Sequence, residues 1–291
     1  MTNNHPNVNI KNILLDAVTQ LRNAGLREHL QLDADILLAH ALGQTRTFLR
    51  TWPEHIPEPA HLTQFQTLLA RRCLGEPIAY LTGERDFWDM TLAVSPDTLI
   101  PRPETETLVE QALEKIPPDA TWHIADLGTG SGAIALAIAR ERPRCKIVAT
   151  DISLAALAIA RHNAARLKIN NIRFAAGRWC DPLGNEHFEM IISNPPYVHP
   201  GDPHIHDLRF EPLTALQSGP DGLTDIRAIC TEACQHLRAP GWLLLEHGYD
   251  QGTAVPAILH ELGYQQVRTE KDLAQKDRVS FGTCVKPTEK A

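Results

Sequence analysis

Trp122-His123-Ile124-Ala125-Asp126-Leu127-Gly128-Thr129-Gly130-Ser131-Gly132-Ala133-Ile134-Ala135-Leu136 decides the fold. A short apolar strand over 122–127 runs into three glycines spaced by one residue, and an Ala/Ile-rich helix over 132–140 follows. Glycines let the backbone turn tightly and approach a ligand, and a helix N-terminus offers free N–H groups. A second strand is expected over 146–150, then a helix over 154–167, with Asp151 closing the strand where a carboxylate reaches both hydroxyls of a ribose. Further strands are expected over 172–175, 188–192 and 242–245. Strands alternating with helices imply a mostly parallel sheet flanked by helices. The segments 266–269 and 279–285 lack a convincing helix between them and suit an antiparallel pair at the sheet edge.

Toward the N-terminus the pattern changes. Residues 1–84 read as a small all-α domain. Apolar positions recur at helical spacing in Ile10-Leu14-Leu15-Val18-Leu21 and Leu32-Leu37-Leu38-Ala41-Leu42, and a third helix over 59–74 turns Leu62, Phe65, Leu68 and Leu69 inward. Residues 85–100 read as a hairpin connector, and a helix over 104–115 opens the α/β domain, 101–291.

The glycine loop alone leaves two ligands open. Gly128-x-Gly130-x-x-Ala133 with Asp151 satisfies the dinucleotide fingerprint. The same residues read as Asp-x-Gly-x-Gly-x-Gly, the loop of methyltransferases that use S-adenosyl-L-methionine (SAM). Asp126 favours the second, because a carboxylate beside the loop suits a cationic methionine end and repels a pyrophosphate.

Asn194-Pro195-Pro196-Tyr197 settles the matter. It leaves an apolar strand at the edge where open parallel sheets bind ligands. Two prolines fix the backbone and remove two N–H donors, which leaves carbonyls as the available groups. A planar amide nitrogen is a poor nucleophile because its lone pair is delocalised. The Asn194 side-chain oxygen and the Pro195 carbonyl can accept from its two N–H bonds, aim it, and stabilise the positive charge that develops on methyl transfer. Tyr197 can cover the planar group. A dehydrogenase would leave this tetrapeptide without a role.

With that loop, Asp151 and Asn-Pro-Pro-Tyr in order, the chain resembles the amino methyltransferases that act on adenine N6 or on glutamine. Gly75-Glu76-Pro77-Ile78-Ala79-Tyr80-Leu81-x-Gly83 and Leu99-Ile100-Pro101-Arg102-Pro103-Glu104-Thr105-Glu106 are similar to signatures of the HemK/PrmC family, as are Leu32-Asp33-Ala34, Glu211-Pro212, Asp221-Gly222-Leu223 and Leu245-Glu246-x-Gly248. The resemblance implies a class I, Rossmann-like SAM-dependent methyltransferase domain. Its implied substrates are class I peptide chain release factors, methylated at N5 of the glutamine in their Gly-Gly-Gln loop, with S-adenosyl-L-homocysteine as product. It implies that Gly128, Thr129, Gly130, Ser131 and Gly132 hold the methionine end with Asp126, that Asp151 holds the ribose, and that Trp179 lies against the adenine. Asn194, Pro195, Pro196 and Tyr197 would hold the substrate glutamine.

The composition agrees with a soluble globular protein in the cytoplasm. Hydrophobic residues make up 43% and charged residues 22% of 291, and no apolar run approaches the roughly 18–20 residues of a membrane span. The net charge of −7 falls wholly after residue 85. Neither part shows the basic excess of a protein that wraps nucleic acid, which counts against adenine methylation. No stable nucleic-acid partner, no membrane and no obligate dimer are expected. Two clusters carry no site: His199, His204 and His206 lack an ordered ligand frame, so no metal is expected, and Cys230 and Cys234 read as buried small hydrophobes on one helix. A disulfide framework is not expected from six scattered cysteines. Intact Asp126, Asp151 and Asn194 argue against a binding module with a decayed site.

Overall fold

The computed structural model describes residues 8–202, 205 and 208–285, and the chain divides into two compact units between Glu84 and Arg85.

The first unit is helical: α1 (Ile10–Asn23), α2 (Leu30–Leu42), α3 (Arg46–Thr51), α4 (Pro59–Cys73) and α5 (Ile78–Thr82). The Asn9 side chain caps α1 by accepting from the Asn12 amide, and Thr45 caps α3 through the Phe48 amide. Ile10, Ile13, Ala17 and Leu21 form the buried stripe of α1 and pack with Leu37, Leu38, Phe65, Leu68 and Leu69. Leu15, counted on that stripe from its spacing, is 59% exposed. The 3.6-residue period selects Ile13 and Ala17 over it, and the small Ala17 is easily missed in a search for large residues. Buried Asp33 accepts from Arg72 at 2.8 Å, and Arg72 also reaches the Glu76 carbonyl, so these signature positions tie α2 to the end of α4.

The second unit begins with a hairpin, β1 (Glu84–Phe87) and β2 (Met90–Ala93), and α6 (Glu106–Lys115). Then follow β3 (His123–Leu127), α7 (Ala133–Glu141), β4 (Lys146–Asp151), α8 (Leu154–Leu167), β5 (Ile172–Ala176), β6 (Phe188–Ser193), α9 (Thr224–His236), β7 (Leu237–Glu246), α10 (Ala254–Glu261), β8 (Gln265–Lys271) and β9 (Asp277–Cys284). The seven-stranded sheet has the order β5-β4-β3-β6-β7-β9-β8. Strands β5 to β7 run parallel, while β9 lies antiparallel to both β7 and β8, the closing pair expected at the edge. Helix α10 precedes that pair and was not foreseen.

The central strands are apolar on both faces because helices cover both, as parallel sheets require. The chain leaves β3 for β4 on one side and reaches β6 on the other. This reversal opens a crevice at the carboxyl ends of β3, β4 and β6. The hairpin shares the core of this unit, since Phe87, Met90 and Leu92 pack with Leu108, Ile124 and Leu136. Fully buried Asn163 of α8 locks it in place: it accepts from the Ala93 amide at 2.7 Å and donates to the carbonyls of Ala93 and Ser131. One side chain thereby couples the hairpin to the glycine loop.

Cys230 is fully buried, as its helical spacing suggests. Cys234 departs from expectation: it forms a disulfide with Cys284 of β9, 50 residues later. Spacing along α9 carries no information about a partner that the antiparallel edge brings back.

Candidate active site

A cavity of about 310 Å³ sits in that crevice. Gly128, Thr129, Gly130, Ser131, Asp151, Trp179, Asn194 and Pro196 line it, so the glycine loop and the proline motif face one space. Asp126, Gly132, Pro195 and Tyr197 are not among the lining residues.

The loop bends through three left-handed glycines, Gly128 (φ 73°), Gly130 (φ 56°) and Gly132 (φ 87°). A Cβ at Gly128 would also stand 3.1 Å from the Trp179 ring. The loop suggested free N–H groups for a ligand, yet four of them turn inward. Those of Gly128 and Thr129 donate to the Thr150 carbonyl, Gly130 to Asp151, and Gly132 to the Thr129 carbonyl. A phosphate would find them engaged, which disfavours a dinucleotide.

Asp126 ends β3 fully buried. One carboxylate oxygen accepts from the Thr129 hydroxyl at 2.6 Å, and the other has no partner among the described residues. Burial raises its pKa to about 7; the Thr129 bond and the nearby Ala135 amide oppose the rise, and Asp151 adds to it. An unpaired buried carboxylate oxygen is costly unless a cation or donor meets it. Asp151 lies on the cavity wall, and the amides of Gly130 (2.9 Å) and Ser153 (2.8 Å) hold its two oxygens. Burial raises its pKa too, while these amides oppose the rise. Trp179 takes an unusual φ of 41°, presents its ring to Gly128, and leaves its indole Nε1 buried with no partner among the described residues. An orphaned acidic oxygen, a fixed carboxylate and an aromatic wall with a spare donor suit a molecule with a cationic end, a diol and a planar base.

Asn194 follows the end of β6, where the Ser193 hydroxyl donates to the Leu127 carbonyl at 2.7 Å and pins β6 beside β3. Its amide nitrogen donates to the Thr105 hydroxyl at 3.3 Å. Its Oδ1 accepts no hydrogen bond among the described residues, nor does the Pro195 carbonyl. Tyr197 turns its hydroxyl away to donate to the buried Glu246 at 3.3 Å, and packs on the core behind the cavity. Burial and that neighbouring carboxylate push its pKa up. Buried Glu211 accepts from the Ile100 amide at 3.0 Å and from Arg102, fastening the chain after the proline motif to the wall. Thr105 and Arg102 also line the cavity, though neither was singled out as a site residue. Their signal lay inside the Arg-Pro-Glu-Thr-Glu signature. Of the three histidines set aside as a metal site, His204 and His206 lie outside the described residues, and the Nδ1 of His199 accepts from the Gly201 amide.

Comparison with known proteins follows the same division. Residues 12–83 match the PrmC N-terminal domain family, and residues 105–209 match the methyltransferase small domain family. A release factor glutamine methyltransferase of Vibrio cholerae is 49% identical over 94% of this chain and 96% of its own length. One of Xylella fastidiosa is 51% identical over 87% and 93%. A crystal structure of a methyltransferase from Pyrococcus furiosus superposes with a TM-score of 0.52, covering 76% of this chain and 99% of that one at 18% identity, a likeness of fold alone.

Proposed function

Because the chain belongs to the release factor glutamine methyltransferases, we infer that it methylates N5 of the glutamine in the Gly-Gly-Gln motif of class I peptide chain release factors. The observation that carries this reading is Asn194 on the cavity wall, with its amide nitrogen engaged by Thr105 and its oxygen accepting no hydrogen bond among the described residues. SAM, when bound, supplies an electrophilic methyl group, and S-adenosyl-L-homocysteine is left. The unpaired oxygen of Asp126, the Asp151 carboxylate, the Trp179 ring and residues 128–132 would hold it.

The chain's own part is positioning. Asn194 Oδ1 and the Pro195 carbonyl accept from the two N–H bonds of the substrate amide and aim its nitrogen, which has no basic lone pair to offer unaided. As the nitrogen becomes positive, the same acceptors strengthen their hold, so they stabilise the transition state more than the ground state. The proton turns acidic only after the methyl is on, so no general base is needed before attack. Pro196 closes the wall beside Asn194. Tyr197, tied to Glu246, keeps the turn rigid from behind the cavity, a different part from the covering ring that the motif suggests.

The helical unit, residues 1–84, is the proposed reader of the release factor, supplying remote contacts whose binding energy positions the glutamine. The proposed setting is the cytoplasm, where release factors act. No helix among the described residues is long and apolar enough to cross a membrane.

Replacing Asn194 by Ala tests the assignment. Methyl transfer should fall by about two to three orders of magnitude, the usual loss for a preorganised acceptor. SAM affinity, measured by calorimetry, should change little. A wild-type rate would remove Asn194 from the mechanism.

A further inference from the structure

A carboxamide is ambiguous. Its oxygen and nitrogen are nearly the same size, so a half-turn exchanges an acceptor for a donor at the same place. If Asn194 presented its NH₂ to the substrate, donor would face donor and the amide would be repelled. Something must hold the side chain in one sense.

The structure supplies a chain of directed bonds. Asn194 Nδ2 donates to the Thr105 hydroxyl at 3.3 Å, across 89 residues of sequence. A hydroxyl has a single proton, so Thr105 can accept from Asn194 only if it sends that proton elsewhere. Glu246, at the end of β7 and 1% exposed, offers an acceptor: its carboxyl stands within reach of the Thr105 hydroxyl, and Tyr197 donates to Oε1. Glu246 Oε2 is buried and has no hydrogen bond among the described residues, so it is an acceptor in need of a proton. Burial pushes the Glu246 carboxyl up to about 7; Arg278 and the neighbouring hydroxyls favour the charged form, and Glu104 opposes it. Arg278 is itself held by Asp272 and the His247 carbonyl. When ionised, Glu246 only accepts, so it fixes the hydroxyl, and the hydroxyl fixes the amide.

The geometry points to Thr105 and Glu246 as positioning residues that lock the Asn194 side chain with Oδ1 toward the substrate amide. This rests on the function assigned to Asn194 above. Glu246 does not line the cavity, and Thr105, which does, has its hydroxyl engaged by Asn194; together they set the sense of the group that meets the substrate. Glu246 lies three hydrogen bonds from the reacting nitrogen and acts on it through Thr105 and Asn194.

The relay has a polarity that can be reversed without changing its shape. In Glu246→Gln one acceptor oxygen becomes NH₂; with the remaining oxygen keeping the Tyr197 proton, the NH₂ faces Thr105. Thr105 would then accept from Gln and send its proton to Asn194, turning the amide over.

The test compares methyl transfer to a purified release factor at saturating SAM with calorimetric SAM affinity. Thr105→Val and Glu246→Gln should each lower kcat about tenfold or more, the effect of an acceptor held in the wrong sense, with SAM Kd within about twofold. Thr105→Ser, which keeps the hydroxyl, should stay within about threefold of wild type. Added to Asn194→Ala, either change should cost nothing further, since there is no amide left to orient. A melting curve guards against misfolding; if Thr105→Val does not fold, Glu246→Gln and Thr105→Ser decide. Wild-type kcat in both Thr105→Val and Glu246→Gln, or losses that add in full to Asn194→Ala, would overturn the relay. A wild-type rate in Asn194→Ala alone would instead sink the assignment of Asn194, so the two failures can be told apart.

Discussion

Asp126 should make cofactor binding depend on pH, in a direction fixed by its burial. In the free enzyme its pKa is raised to about 7, so at pH 6 roughly one carboxyl in eleven is ionised and at pH 7.5 about three in four. A cation held in the cavity in front of Thr129 favours the ionised form of Asp126 and lowers its pKa, so binding releases a proton. SAM affinity should then rise with pH, by about eightfold between pH 6 and 7.5, or about 1.2 kcal/mol. The window stays below the ~7.7–8.0 at which an α-ammonium would itself begin to lose its charge. The same shift acts oppositely on the free fold. A folded pKa above the unfolded value contributes stability present in full below about pH 4, and lost by about 4 kcal/mol at most as pH rises through 7. Asp126→Asn keeps an oxygen for the Thr129 hydroxyl and removes the titration. It should weaken SAM binding at pH 7.5, flatten the pH profile, and raise the melting temperature of the free enzyme at that pH. Calorimetry and thermal melts at four pH values read all three. An affinity flat with pH in the wild type, or a slope that survives in Asp126→Asn, would refute the placing of Asp126 beside the cationic end.

Asp151→Ala should weaken SAM by about 1.5–3 kcal/mol, the value of charge-assisted bonds to a diol, with the melting curve largely unchanged; unchanged affinity would remove Asp151 from the ribose. Gly128→Ala faces both a left-handed backbone and a ring 3.1 Å from the new methyl. It should cost about 1–2 kcal/mol of stability and, by displacing Trp179, weaken SAM as well; indole fluorescence and calorimetry would show the pair of effects, and a silent variant would contradict the tight packing.

Where regular period and local chemistry coincide, the sequence was readable. The parallel strands announce themselves because burial on both faces forces unbroken apolar runs, and the glycine loop because three positions need left-handed backbone. The Asn-Pro-Pro-Tyr motif was legible for a similar reason, since two prolines leave few conformations. Less was visible where a side chain's role depends on a distant partner. Asn163 looks like an ordinary helix residue until the hairpin returns to it. Thr105 and Glu246 are far from Asn194 in sequence, and only the sheet brings them together. Asp126 reads as a loop residue in contact with ligand, but β3 ends deep enough to bury it behind Thr129. The six-residue α3 and five-residue α5 are too short to show a period, and the mate of Cys234 lies across an antiparallel edge that helical spacing cannot foretell.

The central claim is that the methyl group lands on one amide nitrogen. A class I release factor incubated with the enzyme and SAM, then digested and sequenced by mass spectrometry, tests it most directly. A gain of about 14 Da, from one methyl group replacing a hydrogen on nitrogen, should appear on the glutamine of the Gly-Gly-Gln motif, and replacing that glutamine by glutamate should abolish it. An unmodified glutamine, or label found on nucleic acid in the same reaction with the release factor bare, would contradict the account.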